Sequence, residues 1–234
     1  MILVTGASQG IGYEVARAFL ERTHDRVLIT GRRETGLRQA REAMPPALRP
    51  RLETTVCDQG DARQVDGLIA LLAGEGAALD CAILNVGTNP VYIEGPRRTH
   101  SLRLATIEAT IRTNCSHVML LTAAVLDRFR RQRSGVLVWI GSRASFTGLP
   151  GAALYCASKS FLSGLARTVC VEYAGRGVRM HVMHPGLVRT PRTADVVDGF
   201  AAMHGLQVRE ADDVARQIVG LVLTHDPVPL EVEL

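Results

Sequence analysis

VTGASQGIG, residues 4–12, places Gly6, Gly10 and Gly12 between an apolar run and a segment with helical periodicity. Glycines at such a seam let the backbone turn tightly and approach a pyrophosphate. The phosphate charge then meets free N–H groups and the positive end of the following helix. A glycine-rich turn is common by itself, but a strand before it and an amphipathic helix after it make it a dinucleotide-binding signal. Its spacing here is GxxxGxG.

The rest of the chain repeats this strand–helix alternation. Ile2 to Thr5, Arg26 to Thr30, Leu52 to Cys57, Asp80 to Leu84, Val136 to Ile140 and Arg179 to Met183 read as buried strands, with a last strand expected in Pro229 to Glu233. Gly10 to Arg22, Ala62 to Leu72, Leu102 to Arg131, Ala153 to Tyr173 and Ala211 to Leu223 read as helices. Short strands alternating with helices imply βα units winding a parallel sheet through right-handed crossovers. Glycines and prolines fall at the seams of these units, with no repeat or long linker. The expectation is a single-domain α/β protein over residues 1–234, a Rossmann-type doubly wound parallel sheet of about seven strands with helices on both faces. Ligands are then expected at the carboxyl ends of the strands.

Composition narrows the function classes. The 234 residues are 47% hydrophobic and 4% aromatic, with a net charge of +4. Scattered arginines and so few aromatics argue against a nucleic-acid surface, which needs clustered charge and stacking platforms. The opening MILVTGAS has no basic n-region or long apolar stretch, so no signal peptide or membrane association is expected, and a cytoplasmic protein is. Cys57, Cys81, Cys115, Cys156 and Cys170 are odd in number with no CxxC spacing, which suggests reduced thiols. His181 and His184, three apart on a strand, point to opposite faces, so no metal site is expected.

Further motifs follow in order along the chain. NVG stands at 85–87 after the fourth strand, Asp58 after the third, and HPGLVRT at 184–190 after the sixth. Ser142 precedes Tyr155 by thirteen positions, and Tyr155 and Lys159 form a YxxxK pair. Together with TGASQGIG, these motifs resemble the short-chain dehydrogenase/reductase family over nearly the whole chain. The resemblance implies a cofactor loop at Gly6, Ser8, Gln9, Gly10, Ile11 and Gly12. It also implies an adenine-contacting Asp58, a turn at Asn85 and Gly87 in the place of NAG, and nicotinamide-side contacts at Pro185, Gly186, Val188 and Thr190. Asn114, Ser142, Tyr155 and Lys159 match the catalytic tetrad, in which asparagine holds a helix distortion beside the lysine. Val86 replaces the usual alanine of the NAG turn, and the tail PVPLEVEL lacks the VDGG-like segment of the acyl-carrier reductases.

Residue chemistry supports the same reading. Tyrosine can exchange a proton with a carbonyl or alcohol oxygen, but its pKa of about 10 calls for stabilisation of its anion. A fixed cation one helical turn away supplies that, with an expected drop of roughly two to three pKa units. Lys159 is the only lysine among 27 basic residues. Its compact ammonium, unlike guanidinium, can relay protons, and in the family it also contacts the nicotinamide ribose. Ser142 would hold the substrate oxygen. Cys156, Ala157 and Ser158 read as spacers turned away from the chemistry.

Cofactor preference is set at the end of the second strand, where NAD enzymes place an acid about twenty residues beyond the glycine turn. Here ITGRR, 29–33, offers Arg32 and Arg33 instead. These suit a 2'-phosphate, so NADP(H) is expected rather than NAD(H). The expected function is an NADPH-dependent ketoreductase, reducing a ketone or aldehyde to an alcohol reversibly. The alternative is a non-catalytic NADP(H)-binding sensor. A homodimer or homotetramer is expected from the family, whose helices at Asn114 and Tyr155 often form the interface. Arg143, Arg189 and Arg192 suggest a carboxylate or phosphate on the small-molecule substrate. Val196, Val197, Phe200 and Met203, at helical spacing within 187–210, suggest either a mobile lid with an apolar inner face or a core-facing helix.

Overall fold

The computed structural model describes residues 1–74, 78–224 and 226–234. Among these, the strands are β1 (Ile2–Val4), β2 (Val27–Gly31), β3 (Leu52–Val56), β4 (Cys81–Leu84), β5 (Gly135–Ile140), β6 (Val178–His184), β7 (Leu187–Arg189), β8 (Val208–Glu210) and β9 (Glu231–Glu233). A seven-stranded parallel sheet runs in the order β3-β2-β1-β4-β5-β6-β9, and β7 pairs with β8 apart from it. The helices are α1 (Gly10–Arg22), α2 (Glu34–Ala43), α3 (Ala62–Ala73), α4 (Val91–Glu94), α5 (Leu104–Ile111), α6 (His117–Gln132), α7 (Ala153–Glu172), α8 (Ala194–His204) and α9 (Ala211–Leu223).

Both faces of the sheet are covered, as the near-continuous apolar strands require. Because successive strand residues point to opposite sides, Ile2, Val4, Val27, Ile29, Ile83, Val138 and Ile140 pack with Phe19 of α1 and Ile218 and Val222 of α9. Leu3, Leu28, Ala82, Leu84, Leu137 and Trp139 pack on the other side with Leu68 of α3, Phe129 of α6 and Leu162 of α7. Fully burying each large side chain contributes about 1.5–3 kcal/mol. Trp139 is wholly buried, and its indole N–H donates to Thr122 Oγ1 at 2.9 Å, so its one polar atom is satisfied.

Several boundaries differ from expectation for physical reasons. Helix α2 has buried apolar positions only at Leu37 and Ala40, too sparse a stripe to read from the sequence. The helix expected over Leu102 to Arg131 is interrupted by a π-helical turn at Arg112–Ser116, which separates α5 from α6 and contains Asn114. The 187–210 segment carries β7, α8 and β8. Within α8, Val197 and Ala201 are buried whereas Val196, Phe200 and Met203 are exposed, so the four apolar residues do not form one inward face. The parallel order reverses direction at β1, between β2 and β4, and the turns after β1 and β4 lie side by side there.

Candidate active site

The glycine turn and the β4 turn are locked together by one side chain. Asn85 Nδ2 donates to the carbonyls of Thr5 and Gly6, both at 3.1 Å, and its backbone N–H donates to Thr5 Oγ1 at 3.0 Å. Asn85 is therefore a clamp between two strands rather than an isolated turn residue. Gly6 and Gly10 adopt φ of +63° and +62°, which favour glycine. A Cβ at Gly12 would stand 2.6 Å from Asn85 Nδ2, and one at Gly10 would stand 3.3 Å from Thr190. Val86 packs a methyl against Gly6, where a Cβ would lie 2.8 Å away.

This cradle fits a dinucleotide. The N-cap of α1, Gln9, makes no side-chain capping bond, and the first turn contains no acid, so its amides are open to an anion. Ser8 packs beside Gly31 at the end of β2, where Arg32 and Arg33 follow, exposed. Among the described residues, neither arginine has a carboxylate partner. Asp58 accepts from Gly60 N at 2.8 Å, while Asp61 caps α3 by accepting from the amides of Arg63 and Gln64. Asp58 is thus not the cap of that helix. Ile11 packs against the core beneath the turn, Pro185 and Val188 are buried, and Gly186 is partly exposed beside Arg143.

At the other end of the crevice the structure brings together Asn114, Ser142, Tyr155 and Lys159. Lys159 is buried, donates from Nζ to the Ile140 carbonyl at 2.8 Å, and lies 5.9 Å from the centre of the Tyr155 ring. A Cβ on Gly87 would stand 3.0 Å from Nζ, so glycine in the β4 turn gives the ammonium room to approach. Ser142 Oγ accepts from the Ala144 amide at 3.1 Å, and its hydroxyl lies close enough to the Tyr155 phenol to favour the phenolate. Asn114, buried in the π-helical turn, donates to Thr88 O at 2.8 Å and Ser158 Oγ at 2.9 Å and accepts from Thr88 N at 2.8 Å.

The electrostatics depart from the simple expectation. Desolvation pushes the Tyr155 phenol up to about 12 although the residue as a whole keeps some exposure; the Ser142 hydrogen bond pulls the other way. Desolvation also pulls the Lys159 ammonium down to about 8, assisted by repulsion from Arg192. The expected fall in the tyrosine pKa is therefore absent from this geometry: burial outweighs the Ser142 hydrogen bond, and the Lys159 ammonium lies 5.9 Å from the ring centre. Such a phenol is a proton donor at neutral pH.

Some residues have roles that differ from the sequence reading. Ser158 is buried and bonded to Asn114, because a position three beyond Tyr155 shares its helix face. Arg189 is held in a bidentate pair with Asp198 at 2.7 and 2.6 Å and bonded to Glu210 at 3.0 Å, so its charge is engaged in tying α8 to β7 and β8. Arg143 faces Glu233 at 4.0 Å. Arg192 alone of these three reaches the crevice, donating to the Gly87 carbonyl at 3.1 Å. His181 contacts Pro229 O at 2.9 Å, whereas His184 contacts Ser142 and Glu231, so the two imidazoles have separate partners. Thr88 and Glu231 carried no sequence signal, since each acts through a partner far along the chain.

Comparison with known proteins bears on family and fold. A family model for short chain dehydrogenases matches residues 1–199. The chain is 35% identical to the 2,3-dihydro-2,3-dihydroxybenzoate dehydrogenase of Escherichia coli over 81% of its own length and 69% of that protein's. It is 33% identical to an uncharacterized oxidoreductase of Mycobacterium tuberculosis, covering 82% of this chain and 75% of the other. A solved short chain dehydrogenase/reductase family protein superposes with a TM-score of 0.82 at 28% identity, covering 94% of this chain and 88% of that one.

Proposed function

Because the chain belongs to the short chain dehydrogenase family, we propose that residues 1–234 act as one cofactor-binding and catalytic unit that reduces a ketone or aldehyde with NADPH, reversibly. The observation that carries this reading is the convergence of Ser142, Tyr155 and buried Lys159 at the end of the glycine cradle. Bound NADPH would supply a hydride to the carbonyl carbon. The amides opening α1, with Gly6, Gly10, Gly12, Asn85 and Thr190 around them, would hold its phosphates and nicotinamide, and Arg32 and Arg33 its 2'-phosphate.

Ser142 orients the carbonyl oxygen by donating its hydroxyl proton, and Tyr155 gives up its phenolic proton to that oxygen as charge develops there. With its pKa held near 12, Tyr155 is protonated before the reaction. A developing alkoxide is a much stronger base and takes that proton. Lys159 then faces the phenolate, so its positive charge is most useful after the proton has moved. Asn114 holds the Thr88 backbone and Ser158 together, which keeps the turn carrying Gly87 against Lys159.

No helix among the described residues is long and apolar enough to cross a membrane. Free thiols at all five cysteines support a cytoplasmic setting. Exposed Leu104, Ile111, Met119 and Leu120 along α5 and α6 support a homo-oligomer. The decisive experiment follows nicotinamide absorbance across a panel of carbonyl compounds with wild type and Tyr155→Phe. Turnover is expected in the first and loss of roughly 10²-fold or more in the second; equal rates would sink the mechanism.

A further inference from the structure

His184, the last residue of β6, is completely buried against the Ser142 turn. Its Nε2 lies 3.2 Å from Glu231 Oε2 on β9. A carboxylate only accepts, so this nitrogen donates to Glu231 and Nδ1 faces the Ser142 peptide. Nδ1 stands 3.3 Å from the Ser142 amide, whose N–H donates to it, and 3.1 Å from the Ser142 carbonyl. Phe146 covers the imidazole with ring centres 4.5 Å apart. Gly141 leaves the space for this approach, since a Cβ there would stand 2.5 Å from Nδ1.

Glu231 is held in turn by α7. Its Oε2 accepts from Ser163 Oγ at 2.7 Å and its Oε1 from Arg167 Nε at 2.9 Å. Helix α7 also carries Tyr155 and Lys159. A continuous set of hydrogen bonds therefore runs from the helix of the proton donor, through β9, to the main chain of the residue expected to hold the substrate oxygen.

We propose that His184 and Glu231 are positioning residues for the reduction, fixing the Ser142 peptide relative to α7 so that the Ser142 hydroxyl meets the reacting oxygen. This rests on the reductase reading of the site. Neither residue touches the reacting atoms; both act through Ser142.

Two amide substitutions separate the two ends of the imidazole. His184→Asn keeps a polar group near the Nδ1 position facing Ser142, and His184→Gln keeps one near the Nε2 position facing Glu231. Turnover of a carbonyl substrate, NADPH affinity and amide exchange at Ser142 are read in each. His184→Asn, which is cut from Glu231, should lose severalfold in kcat, whereas His184→Gln, which is cut from Ser142, should lose about tenfold or more with unchanged NADPH affinity and faster Ser142 exchange. Equal kcat in the two variants, or wild-type exchange at Ser142 in His184→Gln, would overturn the positioning role. Should His184→Gln not fold, Glu231→Gln takes its place: a severalfold loss in kcat with faster Ser142 exchange supports the proposal, and unchanged values overturn it. A wild type that binds NADPH and protects the Ser142 amide but reduces no carbonyl would overturn the reductase reading, and the role in reduction with it, while leaving the hydrogen bonds in place.

Discussion

Lys159 donates from Nζ to the carbonyl of Ile140 across 2.8 Å, which fixes the chain's single lysine on the strand that leads into Ser142. The slot is narrow, with Gly87 on one side and the Tyr155 ring on the other. A guanidinium is flat, larger and effectively never deprotonated. Lys159→Arg is therefore expected to keep the charge yet lose roughly 10²-fold in kcat. Near-normal kinetics in this variant would show that charge alone is needed.

The pH profile follows from the directions of the two shifts. Lys159 titrates near 8 and Tyr155 near 12, so the reduction rate should be level around neutrality and fall as the ammonium is lost above about pH 8. That limb should vanish in Lys159→Arg. Stability responds with its own sign. A lysine with a depressed folded pKa imposes a penalty below about 8 that is relieved as pH rises toward the unfolded 10.5, so its contribution to stability grows across that window. Tyr155, raised from 10.0, works oppositely and costs stability between 10.0 and about 12. Urea unfolding at pH 8 and pH 9.5 with wild type and Lys159→Met tests the lysine term: the rise should be smaller in the variant.

Arg32 and Arg33 stand exposed beyond β2 with no carboxylate partner among the described residues. Removing both should weaken NADPH by about tenfold or more, since charge-assisted phosphate contacts are worth roughly 1.5–3 kcal/mol, and leave NADH nearly unchanged. Dissociation constants for both cofactors check this. Equal or tighter NADH binding by wild type would remove the NADP preference altogether.

Asn114 satisfies both polar groups of the Thr88 backbone and reaches Ser158. Asn114→Ala leaves the partly buried Thr88 amide without this partner, at a cost of up to about 1–3 kcal/mol. A lower thermal midpoint and a loss of turnover are both expected. Ser158→Ala removes only one of these bonds and should have a smaller effect on each measurement. Equal losses would show that the link to α7, rather than the Thr88 clamp, is the important one.

The alternation of Ile2, Leu3 and Val4, repeated in β2, β4 and β5, made the sheet readable, because a strand buried on both faces has few alternatives. Glycine spacing and the YxxxK interval were equally legible, since each reflects a local geometric need. Helix α2 was not, because a stripe of Leu37 and Ala40 hardly differs from a polar loop. The break at Arg112–Ser116 left no mark in the periodicity, because one extra residue in a turn leaves the apolar pattern on both sides intact; only the family resemblance at Asn114 implied a distortion there. The bonds from Glu231 to His184, Ser163 and Arg167 join positions 47 to 68 residues apart, which spacing cannot reveal.

Arg189 and Arg192 separate a structural charge from one available to substrate. Arg189 is engaged with Asp198 and Glu210, whereas Arg192 bonds only the Gly87 carbonyl and has no carboxylate partner among the described residues. Its charge is felt at both Tyr155 and Lys159. A guanidinium so placed would favour a carbonyl compound that carries a carboxylate or phosphate. Arg192→Ala should raise KM for such a substrate by about tenfold, the cost of one charge-assisted contact, with little change for a neutral ketone of similar size. Arg189→Ala should instead loosen α8 and change both substrates alike, without discriminating by charge. The comparison of KM across the six enzyme–substrate pairs, wild type included, decides it. An unchanged preference in Arg192→Ala would assign that guanidinium to holding the Gly87 turn and leave the substrate's charge to be set elsewhere.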